Sequence, residues 1–367
     1  MNPTISKISE HNDVYRFTLA GVNVSCANAI RRIMMSEIPV NVIYTETYQD
    51  NQCNIQINKT RLHNEFIKQR LSSIPIHQTD LNVLPNNHIL EVDLTNDTDN
   101  IIYVTTEHFK IRNKTNGKFI SQDEVRKFFP PCKMTNSYID FVRLRPKISD
   151  SIPGEQLKLT AEFSISMARK NSMFTVVSKC AYFNTPDDDK IKAQIIKLEK
   201  DLRDKDVPED DIKFQRRNFE FLDSQRYFID NSFDFVIQSV GTYENQAIVK
   251  MACIVLTQKF KTLIDEIDEN SVEIYNSETT LDYCFDITLK NEDYTMGKVL
   301  EYFIYETYYM GDKTLTYCGF KKMHPHDSDS IIRIAFEKNS AKDECKKCLR
   351  FACSEALELF TKIGKKF

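Results

Sequence analysis

The sequence is poor in what secretion, membrane spanning or unaided nucleic-acid binding would require. No uninterrupted apolar run approaches the roughly 20 residues of a membrane helix. The chain opens without a basic-then-apolar leader, and its 10 cysteines show no disulfide-framework spacing. The expectation is an intracellular protein of a reducing compartment, with free thiols and no membrane contact. In that setting the sequons Asn23-Val24-Ser25 and Asn58-Lys59-Thr60 are chance matches. Positive charge is not in excess: 49 Lys+Arg stand against 53 Asp+Glu, for a net charge of −4 and a pI near 6.0. A protein that grips nucleic acid by itself shows a basic balance or a basic stripe, so contact with DNA is expected only indirectly. There is also no Gly-rich phosphate loop, no Gly-x-Ser-x-Gly elbow and no His-Glu-x-x-His pair. No catalytic residue is expected.

What remains is a globular composition, 41% hydrophobic and 28% charged, over 367 residues. That length can hold two or three domains. Residues 1–60 read as strand, helix, strand: Val14 to Leu19 alternates apolar and polar positions, and Val40 to Tyr48 is rich in Val, Ile, Thr and Tyr. Between them Cys26, Ile30, Ile33, Met34 and Ile38 repeat at helical spacing, with Ser25 as the expected cap and Pro39 as the stop. Arg31 and Arg32 fall beside that apolar stripe. A short helix is expected over Leu62 to Leu71.

From about 77 to 155, Asn, Asp, Thr and Pro punctuate short strands, as in an inserted β-rich subdomain. Longer strands resume at Leu157–Met167 and Met173–Phe183. Within 187–226, Ile191, Ile195, Leu198 and Leu202 mark a narrow-seam helix in a charged run, either a solvated helical excursion or a docking element. Phe233–Val240 reads as a strand before a long amphipathic helix, and 271–280 as a polar linker. The strand-helix-strand plan then recurs: a strand at Leu281–Leu289, a helix capped by Asp293 or Thr295 and running to about 309, strands at Thr316–Met323 and Ser330–Glu337, and a final helix from about Ala341 to Ile363.

Three smaller constellations are read as structural. Cys345-Lys346-Lys347-Cys348 follows the stripe of the last helix, where cysteine acts as a small hydrophobe rather than as half of a zinc or redox site. Asp187-Asp188-Asp189 sits at a helix start, where acids complement the dipole. His324-Pro325-His326-Asp327 reads as a turn.

Two motifs near the N-terminus resemble a known family. Asn28-Ala29-Ile30-Arg31-Arg32-Ile33, ending in Glu37-Ile38-Pro39, is similar to the assembly helix of RNA polymerase α-type subunits: bacterial α, archaeal D and the eukaryotic third-largest subunit. Asn64-Glu65-Phe66, with Arg70-Leu71 and Ile74-Pro75-Ile76, resembles that family's next signature. Phe233 through the following helix resembles its closing strand and helix, with Gln238 where the pattern has Glu. Farther on, Glu292-Asp293-Tyr294-Thr295-Met296-Gly297-Lys298-Val299-Leu300 and Tyr317-Cys318-Gly319-Phe320 to His324-Pro325 resemble archaeal polymerase subunit L and its eukaryotic counterpart.

The resemblance implies an α+β fold with a D-like domain (1–60 and 155–270) carrying an inserted β-rich subdomain (61–154), a linker, and a small L-like dimerisation domain (281–367). The halves are expected to pack as an intramolecular pseudo-dimer. Ile30, Ile33, Met34, Met296, Gly297, Leu300, Phe303 and Ile304 are expected at its core, with Gly297 admitting close helix approach. A short tether gives effective concentrations on the order of millimolar. Asn28, Arg31, Arg32, Glu37, Glu65, Phe66, Arg70 and Pro75 are the implied contacts with other subunits. The implied function is a non-catalytic assembly platform of a DNA-directed RNA polymerase, with two large subunits and small polymerase subunits as partners. The catalytic magnesium is expected in the largest subunit and no cofactor in this chain. Some D-type relatives bind zinc or an iron–sulfur cluster in the insert; with only Cys132 there, the insert is expected to be metal-free. The fused order resembles nucleocytoplasmic large DNA viruses, which implies the virion and cytoplasmic replication sites, or otherwise the nucleus. The rival readings are a stand-alone nucleotide-acting enzyme and a regulator that mimics the platform.

Overall fold

The computed structural model describes residues 1–149 and 152–367. The first elements are β1 (Thr4–His11), β2 (Val14–Ala20), α1 (Val24–Ser36), β3 (Val40–Val42), β4 (Cys53–Asn58) and α2 (Asn64–Ser72). The middle of the chain holds β5 (His88–Thr95), β6 (Ile102–Thr105), β7 (Lys110–Asn113), α3 (Gln122–Phe128), β8 (Asp140–Leu144), β9 (Gln156–Glu162), β10 (Ser164–Ser166) and β11 (Val177–Pro186). There follow α4 (Asp188–Arg203), α5 (Glu209–Phe221), β12 (Phe228–Ser239), α6 (Asn245–Asp268), β13 (Ile274–Asn276), β14 (Cys284–Leu289), α7 (Tyr294–Ile304), β15 (Leu315–Lys321), β16 (Ser330–Phe336) and α8 (Lys342–Gly364). Several small sheets with helices make the fold α+β, and no described helix is long and apolar enough to cross a membrane.

The chain forms two compact units. The first comprises residues 1–33, 179–238 and 249–367. It contains two four-stranded sheets, ordered β1-β2-β12-β11 and β13-β14-β16-β15. In the first sheet Phe17 lies opposite Phe235 and their rings stack at 4.9 Å. Helices cover these sheets because their apolar stripes need burial: Ile30 and Ile33 of α1, Ala252, Leu256 and Phe260 of α6, and Leu349, Ala352 and Phe360 of α8 are all buried. Phe260 of α6 stacks on Phe360 of α8 at 5.8 Å, and Arg350 of α8 donates to the Asp268 carboxylate at 2.8 and 3.2 Å.

The second unit comprises residues 34–178 and 239–248. Its main sheet runs β4-β9-β5-β7, with two-stranded ladders β6-β8 and β10-β3. Ile67 and Leu71 of α2, Phe109, Val125 of α3 and Phe141 share one core with that sheet. Phe109 meets Phe129 and Phe141 edge-on at 5.3 and 5.5 Å, a geometry that suits aromatic quadrupoles.

The structure departs from the sequence reading at several places. The expected boundary at 60/61 does not coincide with a break between units, because β4 pairs with β9 and ties residues 53–58 into the second unit. The strand expected over Val40–Tyr48 is paired only at Val40–Val42, against Ser164–Ser166. Strand β1, absent from the reading, pairs with β2 through a register shift between Ser6 and Ser9. The expected linker 271–280 contains β13, which pairs with β14 at the sheet edge; a strand of three residues, Ile274-Tyr275-Asn276, is too short to give a period-2 signal. The cap of α1 is Asn23, whose Oδ1 accepts from the Ser25 amide at 2.9 Å, not Ser25. The helix expected to continue to 309 ends as α-helix at Ile304 and continues as a π-helical turn, Tyr305–Gly311.

Candidate subunit-contact site

In the first unit the Arg pair divides. The Arg31 guanidinium donates from Nε to Asn28 Oδ1 one turn earlier, at 3.0 Å. Arg32 reaches away from its own helix. Its Nε donates to Thr295 Oγ1 at 2.8 Å and its Nη2 to Asp293 Oδ2 at 2.6 Å. Asp293 is the N-cap of α7, and its other oxygen accepts from the Thr295 amide at 2.8 Å. One carboxylate therefore satisfies an orphan helix donor and a guanidinium together. Burial pushes the Asp293 carboxyl up, but the Thr295 bonds and the Arg32 charge outweigh it and hold the group below its ordinary value. Lys259 of α6 adds an ion pair to Glu292 at 3.0 Å.

Helix α7 lies behind this cap. Met296, Gly297, Leu300, Phe303 and Ile304 are buried, as are Ile30 and Ile33. At Gly297 the atoms nearest to where a Cβ would stand belong to a strand side chain. A Cβ there would sit 1.9 Å from the Phe320 ring of β15, so the absence of a side chain lets that ring lie directly against the helix. Phe320 also meets Tyr294 edge-on at 5.1 Å.

The remaining expected contact residues belong to the second unit, where Met34 is buried. Glu37 accepts from Arg169 Nη1 at 3.2 Å, and the Arg169 amide donates to the Ser36 carbonyl at 2.6 Å. Arg70, expected at a subunit interface, donates from Nε to the Phe141 carbonyl at 2.7 Å and from Nη2 to the Asp140 carbonyl at 2.8 Å. It clamps α2 to β8. Glu65 and Phe66 lie on the open face of α2, with Phe66 58% exposed, and Pro75 is half-buried. Beside that face a cleft of about 430 Å³ is lined by Thr45, Glu46, Tyr48, Glu65, Lys68 and Met173 among others. Sequence reasoning missed Asp293 and Thr295 as partners of Arg32, Phe320 as the cover of Gly297, and Arg169 as the partner of Glu37. The neighbouring Glu-Asp and Arg-Arg signatures were the available signal for the first of these.

The smaller constellations take these positions. Cys345, Cys348 and Cys353 are buried in α8, and burial pushes the Cys345 and Cys348 thiols up to about 12. Cys132 stands exposed in the region expected to be metal-free, and among the described residues no group of three or more His, Cys, Asp or Glu side chains is arranged to hold a metal. Asp187 caps α4, accepting from the Lys190 amide at 3.1 Å. His324 and Asp327 close a turn through reciprocal bonds of 2.9 and 3.1 Å.

The site can hold protein segments together. Over 75 residues the chain is 44% identical to a protein of Arabidopsis thaliana, DNA-directed RNA polymerases IV and V subunit 3B, covering 20% of this chain and 21% of that one. Over 71 residues it is 41% identical to DNA-directed RNA polymerases II, IV and V subunit 3 of the same organism, covering 19% of this chain and 20% of that one. It thus spans about a fifth of the length of these relatives. The RNA polymerase Rpb3/Rpb11 dimerisation domain matches residues 16–260, more than half of the sequence, and the chain belongs to that family.

Proposed function

We propose that this chain is a non-catalytic assembly subunit of a multisubunit DNA-directed RNA polymerase, a D-like half and an L-like half fused in order. On this reading the halves form an intramolecular pseudo-dimer on which two large catalytic subunits gather. The chain itself supplies neither a catalytic side chain nor the catalytic magnesium, which belongs to the largest subunit. The reading is supported above all by the bond of Arg32, in the α-type signature, to Asp293 and Thr295, in the L-type signature. The stacking of Phe260 on Phe360, between the terminal helices of the two halves, supports it further. The L-like assignment lies beyond residues 16–260 and rests on the motifs at 292–300 and 317–325. Fusion of the halves supports a viral polymerase, packaged in virions or working in cytoplasmic replication sites.

The division between Arg31 and Arg32 sharpens the proposed roles. Arg32 is the internal latch. Glu65, Phe66 and the cleft beside them, together with Arg31, are the surfaces offered to the large subunits. Affinity purification from the native source, with mass spectrometry and promoter-independent transcription on the eluate, tests the proposal. Stoichiometric recovery of two very large subunits with RNA synthesis is expected. Recovery of the chain without them at low salt overturns it, and saturable turnover by the purified chain alone would replace it with an enzyme.

A further inference from the structure

Strands β11 and β12 are neighbours in one sheet and consecutive strands in the chain, yet residues 187–227 separate them. Adjacent strands need only a few connecting residues. The excursion leaves and returns at one point, where the Asp187 amide donates to the Tyr227 carbonyl at 3.1 Å. Helix α4 buries no residue and α5 buries only Ile212. The hairpin therefore adds little to the core. It holds itself together through half-buried Ile191, Ile195, Leu198 and Leu202 and through Arg216, which bonds Glu199 at 3.2 Å and Glu220 at 2.9 Å.

Its outer face carries a second stripe. Phe214 and Phe221, seven residues apart on α5, are 59% and 71% exposed, and Leu222 is 69% exposed. Arg217 lies between the two rings, exposed and without an ion pair or hydrogen bond among the described residues. Its neighbours Asp210 and Lys213 neutralise each other at 3.2 Å. A cleft of about 540 Å³ runs alongside, lined by Phe214, Arg216, Arg217 and Glu220 among others. Two exposed aromatics with an unpaired arginine at i, i+3 and i+7 form the pattern of a helix that seats in an apolar groove. Apolar clusters exposed in this way mark interaction surfaces.

We propose that the outer face of α5 docks into an apolar groove rimmed by carboxylates on another subunit of the polymerase. This rests on the proposed function above. The two rings and Leu222 fill the groove, and the Arg217 guanidinium meets a carboxylate at its edge. A nucleic-acid partner is disfavoured because Arg217 is a single cation among paired charges, Lys213 with Asp210 and Arg216 with Glu199 and Glu220, and not a basic stripe.

The test uses the complex purified with this chain as bait. A photo-crosslinker, Phe214→p-benzoylphenylalanine, is expected to capture a segment of another subunit that is apolar and flanked by Asp or Glu. Phe214→Ser with Phe221→Ser, and separately Arg217→Glu, are expected to weaken retention of that subunit about tenfold. The melting temperature of the isolated chain should not change, since none of these side chains is buried. Assembled complex with no such cross-link, or with cross-links only to nucleic acid or to a second copy of this chain, overturns the docking alone. Wild-type chain recovered without large subunits overturns the proposed function and the docking with it.

Discussion

Arg32 and Asp293, 261 residues apart in the chain, are joined by a 2.6 Å ion pair in which the carboxylate also caps helix α7. The arrangement couples a tertiary contact to a local one. Loss of either group leaves the other partly buried without its charge partner, while the cap depends on Asp293 alone.

Replacing Asp293 with Ala should cost about 1–2 kcal/mol through the lost cap. Arg32→Ala should cost less, because its side chain is 33% exposed and solvent screens the pair. A double-mutant cycle by urea unfolding should give a coupling of about 0.5–1 kcal/mol. Strict additivity would show that the pair carries no net interaction.

The same pair sets a pH dependence. Asp293 has its folded-state pKa held below the usual 3.8, so its contribution is fully present above that value. It is lost as pH falls through the lower folded-state value. Asp293→Asn, which keeps a capping oxygen but no charge, should flatten the acid side of a stability–pH profile. An unchanged profile would assign acid sensitivity to other carboxylates.

Gly297→Ala should destabilise the chain by about 1–3 kcal/mol, because the new methyl would meet the Phe320 ring at 1.9 Å and must displace it. Thermal unfolding checks this, and Phe320→Leu in the same chain should recover part of the loss. A neutral Gly297→Ala would mean that the ring swings aside freely.

Thiol labelling should be selective. Cys132 is exposed, and bonds from Thr135, with help from Met134, lower its pKa. Burial raises the thiols of Cys26, Cys53, Cys180, Cys253, Cys318, Cys345, Cys348 and Cys353. Limited alkylation at neutral pH should place the first modification on Cys132 by peptide mapping. Early modification of Cys345 or Cys348 would show that α8 opens in solution.

The alternation of Val14–Leu19 and the 3.6-residue stripes of α1, α6, α7 and α8 are local patterns; burial follows the stripes of α1, α7 and α8, whereas Thr18 of β2 is buried as well and Met251 and Val255 of α6 are only half-buried. The narrow seam of α4 was legible for the same reason, as was a cap at Asp293 or Thr295, of which the structure takes Asp293. The signatures that carry the family membership are likewise short runs in which spacing alone carries the information. Strand β13 was not legible, nor was it legible that only Val40–Val42 of the expected Val40–Tyr48 strand would pair, because pairing with β14 and β10 decides both and no pattern within so few residues does.

The sequence by itself determined the repeated strand-helix-strand plan and the presence of an arginine pair beside a buried stripe, since each depends on neighbours in the chain, and through its resemblance to a family it implied the α+β class. Only the tertiary structure decided what the long-range partners are: that Arg32 turns to Asp293, that Arg70 clamps the β8 carbonyls, that Phe320 lies on Gly297, and that β4 joins β9. Those choices rest on hydrogen-bond geometry and packing between segments tens to hundreds of residues apart, where no periodicity reaches.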